Sequence, residues 1–502
     1  MFPHLFRQAV MLVRRDHTLG TLLERLAGLR GDLVLAEEAD GGPHLTVREA
    51  ADLVASWAGG IAALAAPGDV VVIAAPNGYE QLLLCLAASR AGVVPAPVND
   101  QMRPDEIAHV EADSGAVHTI RSAADLPAAE PLAHAVPVEA DAVAALFYTS
   151  GTTGEPKGVE LTHRGLVGGL VAGVALPSGV RHDEAVVSLP VAHIMGFVTL
   201  LGLACAGVPV YFIPKFHPVR VLDAIETRRA SVYVGVPAMY RMLLDAGAAD
   251  HDLRCIRMWI SGADAMPADL AARFKKLGAT AELPLIGPVG EASFAEGYGM
   301  VETGGGVAAK LSPPMLGFGL GSSMGVALPG YRFRVEGDDR APVRIGGVGE
   351  LLVKGPGVLK GYHGDAAATA ATFTDDGWLR TGDLARLGPF GTVFFVGRQK
   401  DVIKHGGYSV YCVEVEHVLE QHPDVVEAAV VGLPDERKGE VPAAVVRLAE
   451  GRTFDEAGLV AWAAERLSDY KVPVRIIALD ALPKTGTNKV QRKELIARFT
   501  EA

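Results

Sequence analysis

The strongest chemical signal is the run Thr149, Ser150, Gly151, Thr152, Thr153, Gly154, Glu155, Pro156, Lys157, Gly158. Glycines let backbone N–H groups approach an anion closely, and hydroxyls add further donors. Lys157 adds a mobile positive charge. That is the chemistry of a loop that grips a polyphosphate. The Walker pattern is not met, because Lys157 follows Pro156 and precedes Gly158. Taken by itself, the run also reads as a flexible surface turn.

Four further islands combine uncommon residue types. Gly297-Tyr298-Gly299-Met300-Val301-Glu302-Thr303 joins glycines to an aromatic ring and a carboxylate. Thr381-Gly382-Asp383-Leu384 sets an acid just after a turn. Gly397-Arg398-Gln399-Lys400-Asp401 clusters charge behind the apolar run Val393 to Val396, which includes Phe395. Pro483-Lys484-Thr485-Gly486-Thr487-Asn488-Lys489-Val490 is a turn with two lysines near the C-terminus. In isolation each has a bland reading: a solvated acid, a turn aspartate, a surface ion pair, a tail lysine.

The elements that must position these islands follow a βα rhythm. Ala142 to Tyr148 reads as a buried strand, so the Thr149 run lies at its carboxyl end, where ligands of open α/β sheets collect. Thr46 and Glu49 form a capping box ahead of a helix through Val54, Trp57 and Ile61. Strands are expected at Asp69 to Ala75, Val93 to Val98, Val186 to Leu189, Val208 to Ile213 and Ser231 to Val236. Helices are expected at Tyr79 to Ala91, Pro104 to Asp113 and Val219 to Arg229. The uncharged stretch Ala185 to Pro214 is long enough to span a bilayer. Pro190, Gly196, Gly202, Gly207 and Pro209 favour strand, buried helix, strand instead.

The expected class is α/β. A large N-terminal domain, 1–399, holds layered, mostly parallel sheets with helices, plus a β-rich subdomain after Gly346. A small α+β domain, 400–502, follows. Its core candidates are Val413, Val415, Val418, Val425, Val426, Ala429, Val430, Val431, Val445 and Val446. A chain of 502 residues needs more than one core. The net charge of −13 argues against a nucleic-acid partner but not against a nucleotide in a local cationic pocket. Cys85, Cys205, Cys255 and Cys412 are scattered, so neither a disulfide framework nor a zinc site is expected. With no signal-peptide pattern at the start, a reducing cytoplasm is the expected compartment.

In this order, the five islands resemble the adenylate-forming superfamily of acyl-CoA synthetases, nonribosomal adenylation domains and luciferases. The resemblance runs from about Leu45 to Lys493, and the wording is most similar to bacterial AMP-forming fatty acyl-CoA synthetases. It implies two steps: a carboxylate attacks the α-phosphate of ATP with loss of pyrophosphate, then a thiol displaces AMP. Bringing an anion to a polyanion makes charge neutralisation and positioning the main demands.

The roles carry over by position. Thr149 to Gly154 with Lys157 match the loop on the β- and γ-phosphates, and Glu302 matches the carboxylate that helps hold Mg²⁺. Tyr298, Gly299 and Met300 resemble the wall beside adenine and the acyl carbonyl. Gly262, Ala263 and Asp264 resemble the segment lining adenine. Asp383 matches the acid that accepts both ribose hydroxyls, with Phe395 and Arg398 nearby. Lys489 matches the lysine on the α-phosphate and substrate carboxylate. Lys400 occupies the hinge position of a C-terminal domain that is mobile in the family. Lys404, Gly406, Gly407 and Tyr408 match the path of CoA.

Three positions depart from the family pattern. Val301 replaces a threonine whose hydroxyl helps hold the α-phosphate, with Thr303 or backbone donors as possible substitutes. Asn488 replaces a glycine, and Cys412 a frequent proline. His193, Met195, Phe197 and Val236 resemble an acyl pocket, and their apolar surroundings favour a fatty or other apolar carboxylic acid over an amino acid. The expected partners are that acid, ATP and CoA, with a free carrier protein as an alternative acceptor. A degenerate adenylate-binding protein is the remaining alternative.

Overall fold

The computed structural model describes residues 2–149, 156–176, 183–283, 286–315, 323–406, 408–484 and 490–501. It divides into two compact units, Met1–Phe333 with Val353–Leu379, and Arg334–Leu352 with Arg380–Ala502. A cut at residue 400 therefore runs through the second unit. Strands Arg332–Glu336, Val348–Lys354, Leu379–Leu387 and Val393–Arg398 are neighbours in that order, which groups residues 380–399 with the C-terminal part.

The first unit is layered, as expected of an α/β body. One sheet runs Ser323–Ala327, Gly305–Ser312, Ser293–Met300, Met258–Ser261, Val232–Gly235, Ala185–Val187, Val210–Phe212, Val34–Glu38, His44–Thr46. Its inner pairs are parallel, and its two ends are antiparallel. A second, parallel sheet joins Val94–Pro97, Val70–Ile73 and His118–Ile120. Val70–Ile73 is buried along its whole length, as a strand covered on both faces must be. Helix Tyr79–Arg90 is buried on nearly every side.

Local chemistry sets the ends of these elements. Thr46 Oγ1 accepts from Glu49 N at 3.2 Å, and Glu49 Oε2 accepts from Thr46 N at 2.8 Å, so the capping box starts helix Val47–Ala62. Helix Ile194–Ala206 lies between strands Ala185–Val187 and Val210–Phe212 and stops at Gly207, whose φ is +68°. Among the described residues no helix is long and apolar enough to cross a membrane. Beneath the inner sheet, Tyr233, Tyr240, Trp259 and Phe274 meet edge to face at centroid distances from 4.8 to 6.1 Å. Tyr240 also donates to Ile260 O at 2.8 Å. Each such ring pair adds about 0.5–1.5 kcal/mol beyond its burial. This stiff floor carries strand Met258–Ser261 to its carboxyl end.

The second unit also contains a five-stranded sheet, with Gly439–Leu448 between Val425–Asp435 and Arg475–Ala478. Its valine runs alternate between two cores. Ala428, Val430, Ala444 and Val446 face helices Cys412–Glu420 and Glu456–Ala464. Ala429, Val431, Ala443 and Val445 face helix Arg492–Glu501 through Leu495 and Phe499. The single valine-rich core read from sequence is thus two cores, one on each side of a period-2 strand pair. Val413, Val418 and Val426 are only half-buried.

Candidate active site

The Thr149 run joins the two strands of an antiparallel pair. Thr149 and Lys157 are cross-strand partners at the mouth of the antiparallel pair Val143–Thr149 and Lys157–Thr162. The loop does follow a strand's carboxyl end, but it returns as a strand within a small antiparallel sheet rather than entering a parallel sheet. Helix Pro104–Ser114 holds both arms: Tyr148 donates to Asp113 Oδ2 at 2.7 Å, and His109 Nε2 donates to Pro156 O at 2.9 Å. Ser150, Gly151, Thr152, Thr153 and Gly154 lie outside the described residues.

Lys157 and Glu302, 145 positions apart, are linked through Tyr362. Lys157 Nζ lies 5.6 Å from the centroid of the Tyr362 ring. The Tyr362 hydroxyl donates to Glu302 Oε1 at 3.2 Å, and Leu359 N donates to Glu302 O at 2.8 Å. Burial, reinforced by the Glu302 charge, pushes the Tyr362 phenol up to about 12, so it stays a donor at neutral pH. Lys157 Nζ also meets Asp365 Oδ2 at 2.9 Å. The sequence reading missed Tyr362 and Asp365. Asp365 carried a signal, an aspartate just before an alanine-rich run, which is a helix N-cap pattern.

Among the described residues no three His, Cys, Asp or Glu side chains cluster as a metal cage. Mg²⁺ does not need one. It is commonly held by one or two carboxylates with substrate phosphates and water, a need the half-buried Glu302 fits.

Glu302 sits in a turn that Thr303 builds. Met300 N donates to Thr303 Oγ1 at 3.0 Å, and that hydroxyl faces Met300 O at 3.0 Å and Gly305 O at 2.7 Å. Thr303 is buried, so its hydroxyl serves the turn and does not replace the one missing at Val301. Val301 packs against the main core. Gly299 lies at a bulge, where any side chain would collide with the Gly305 carbonyl.

Three of the expected pocket segments converge. A Cβ placed on Gly262 would lie 3.3 Å from both Met195 Cε and Gly297 O. Gly297 itself opens onto space, with Ala308 O, 3.9 Å away, the nearest atom a Cβ would meet. Ala263 has φ +67°, a strained value for a residue with a side chain, at the bend that exposes Asp264. Tyr298 and Met300 are half-buried. His193 caps helix Ile194–Ala206, its Nδ1 accepting from Met195 N at 3.2 Å, which leaves the proton on Nε2. Val236 is half-buried ahead of helix Pro237–Asp245. Phe197 is a correction: it is fully buried edge to face on Phe147, centroids 5.3 Å apart, so it belongs to the core rather than to an open wall.

In the second unit Asp383 and Arg398 are cross-strand partners, with Arg398 Nε 3.3 Å from Asp383 Oδ1. Asp383 is only 3% exposed, and its turn is fixed from both sides. Asp383 N donates to Thr381 Oγ1 at 3.1 Å, which donates to Leu351 O at 2.6 Å; Gly382 N donates to Glu350 Oε1 at 3.3 Å. Gly382 has φ +68°, which glycine alone adopts without cost. Phe395 is half-buried on the strand opposite.

Lys400 is exposed in the turn Gln399–Asp401. Lys404 Nζ donates to Ser409 Oγ at 3.0 Å, and Gly406 turns the hairpin with φ +57°. Tyr408 stacks on Tyr470 at 4.5 Å. Cys412 Sγ donates to Asp401 O at 2.9 Å, and burial pushes the thiol up to about 12. Arg492 ties Glu416 at 2.6 Å to Asp401 at 3.4 Å. Gly407 and Lys489 lie outside the described residues.

Residues 24–363 match the AMP-binding enzyme family, and residues 414–489 match the AMP-binding enzyme C-terminal domain. The chain is 37% identical to a feruloyl-CoA synthase of Amycolatopsis sp., over 91% of the chain and 95% of that protein. It is 36% identical to an indoleacetate–CoA ligase of Aromatoleum aromaticum, over 71% of the chain and 68% of that protein. The solved structure of ATP-bound MatB from Rhodopseudomonas palustris superposes with a TM-score of 0.82 at 31% identity, covering 96% of this chain and 99% of that one.

Proposed function

The chain belongs to the AMP-binding enzyme family and is an AMP-forming acid–thiol ligase, and from that premise we propose that its acid carries a flat aromatic ring. The observation that carries this is the meeting of Met195, Gly262 and Gly297. Gly297 presents a bare peptide face, and the Met195 sulfur suits an aromatic edge. The relatives quoted above are named for aryl acids, which supports an aryl substrate over the fatty acid suggested by the sequence wording.

In this reading the carboxylate attacks the α-phosphorus of ATP and pyrophosphate leaves. The CoA thiol then attacks the acyl carbon and AMP leaves. Lys157, with the hydroxyls of Thr149 to Thr153, neutralises the leaving phosphates. Glu302, oriented by Tyr362, would hold Mg²⁺, whose charge would further offset the triphosphate. Asp383 accepts the ribose hydroxyls, with Arg398 beside it. Lys489 is assigned to the α-phosphate and the carboxylate, Lys400 to the hinge, and Lys404, Gly406, Gly407 and Tyr408 to the thiol path.

The test is a pyrophosphate-release screen with and without CoA, across ferulate, indoleacetate, benzoate and fatty acids of graded length. Ring acids are expected to give the highest kcat/KM and to form CoA thioesters. A clear preference for long-chain fatty acids would reject the aryl assignment.

A further inference from the structure

We propose that Asp365 competes with substrate phosphate for Lys157, and so sets how tightly the protein holds ATP and how readily it releases pyrophosphate; this rests on the reading of Lys157 as the phosphate lysine. The two oxygens of Asp365 are divided between two tasks. Oδ1 accepts from Ala368 N at 2.8 Å and caps helix Ala366–Thr372. Oδ2 takes Lys157 Nζ at 2.9 Å. The backbone around it is also fixed: Asp365 N donates to Tyr362 O at 3.1 Å, and Thr369 Oγ1 donates to Asp365 O at 2.8 Å.

The carboxylate is therefore held by a helix end, while the ammonium rides on a flexible four-carbon stem. The pair stays open to water, with Lys157 at 48% and Asp365 at 38% side-chain exposure. An exposed pair of this kind is weak enough for a phosphate to exchange with. A β- or γ-phosphate brought to Lys157 takes its charge from Asp365 and leaves two anions close together. Asp365 thus opposes every ligand that carries those phosphates, ATP and pyrophosphate alike. AMP has neither and does not meet this opposition. Once the adenylate has formed, recapture of Lys157 by Asp365 favours departure of pyrophosphate.

The test measures dissociation constants of ATP, pyrophosphate and AMP on the full chain by titration calorimetry. Asp365→Asn keeps an oxygen for the helix cap and removes the charge. The expected result is ATP and pyrophosphate binding tighter by about two- to fivefold, with AMP unchanged. The gain should vanish in a Lys157→Met background, since the two side chains act as one coupled pair. Asp365→Ala should show the same tightening together with a lower Tm, which separates the charge from the cap. Unchanged or weaker ATP binding by Asp365→Asn, or equal tightening of AMP, overturns the proposal. If ATP binding to the wild type does not depend on Lys157, the phosphate-lysine reading fails and takes the proposal with it. Lys157-dependent binding that ignores Asp365→Asn removes the competition alone.

Discussion

Tyr362 reaches Glu302 across 60 residues of sequence, its hydroxyl donating to Oε1 at 3.2 Å. The bond restrains how that carboxylate can turn. Tyr362→Phe deletes the donor and keeps the ring beneath Lys157. A net hydrogen bond of about 1 kcal/mol corresponds to about a fivefold effect. The expected outcome is a higher Mg²⁺ requirement at saturating ATP, by about that factor, with Tm nearly unchanged. Initial rates titrated with Mg²⁺ check it, and an unaltered titration curve would show that Tyr362 does not orient Glu302.

Gly297→Val tests the proposed acyl slot without disturbing the fold. Gly297 lies on an ordinary strand, and a Cβ there meets nothing closer than 3.9 Å. A valine therefore projects into open space. Ring acids are expected to lose about tenfold or more in kcat/KM, the cost of about 1.4 kcal/mol, while acetate-sized acids lose less. The pyrophosphate-release assay reads both, and equal losses would detach Gly297 from substrate choice.

The parts of this site legible in sequence are those whose chemistry is local. The Thr149 run, the Glu302 turn and the Asp383 turn each state their type within a few residues. What was missed depends on contacts made across the fold. The Tyr362 bond to Glu302 and the Asp365 pair with Lys157 join residues 60 and 208 positions apart. Phe197 read as pocket lining because apolar character does not say which face of a helix meets the core. Burial against Phe147 decides that. The antiparallel pairing of Lys157–Thr162 with Val143–Thr149 was hidden because a strand's partner is set across the fold and not by its own residues. The strand and helix spans themselves followed from periodicity, and the capping box at Thr46 predicted its helix start.

Glu296 gives a pH dependence of stability. It pairs with Lys310 at 3.0 Å in the sheet, and burial pushes its carboxyl up to about 7 despite that partner. In the unfolded chain the group titrates at about 4.3. Between these values the folded state binds more protons than the unfolded state, so stability falls as pH rises through this window and then levels. Glu296→Gln removes this slope by mimicking the protonated form. The Tm of the variant relative to wild type is expected to climb between pH 5 and pH 7.5 by roughly 2–4 °C. Thermal melts across that range check it, and a constant Tm difference would place the Glu296 titration outside the window.

Val301→Thr restores the hydroxyl that the family places at the α-phosphate, and the structure gives this substitution two opposing consequences. Thr303 cannot stand in, because its hydroxyl is occupied within the turn by Met300 and Gly305. A threonine at 301 therefore supplies a hydroxyl donor that Val301 does not, and adenylation should accelerate by about fivefold for a net bond of about 1 kcal/mol. Val301 also packs against the core, and a hydroxyl is not an isostere of a methyl group in apolar surroundings. Tm should fall even as the first half-reaction quickens. Pyrophosphate exchange and a thermal melt on the same preparation read the two effects separately. A variant that is less stable and no faster would mean that backbone donors already supply the missing bond.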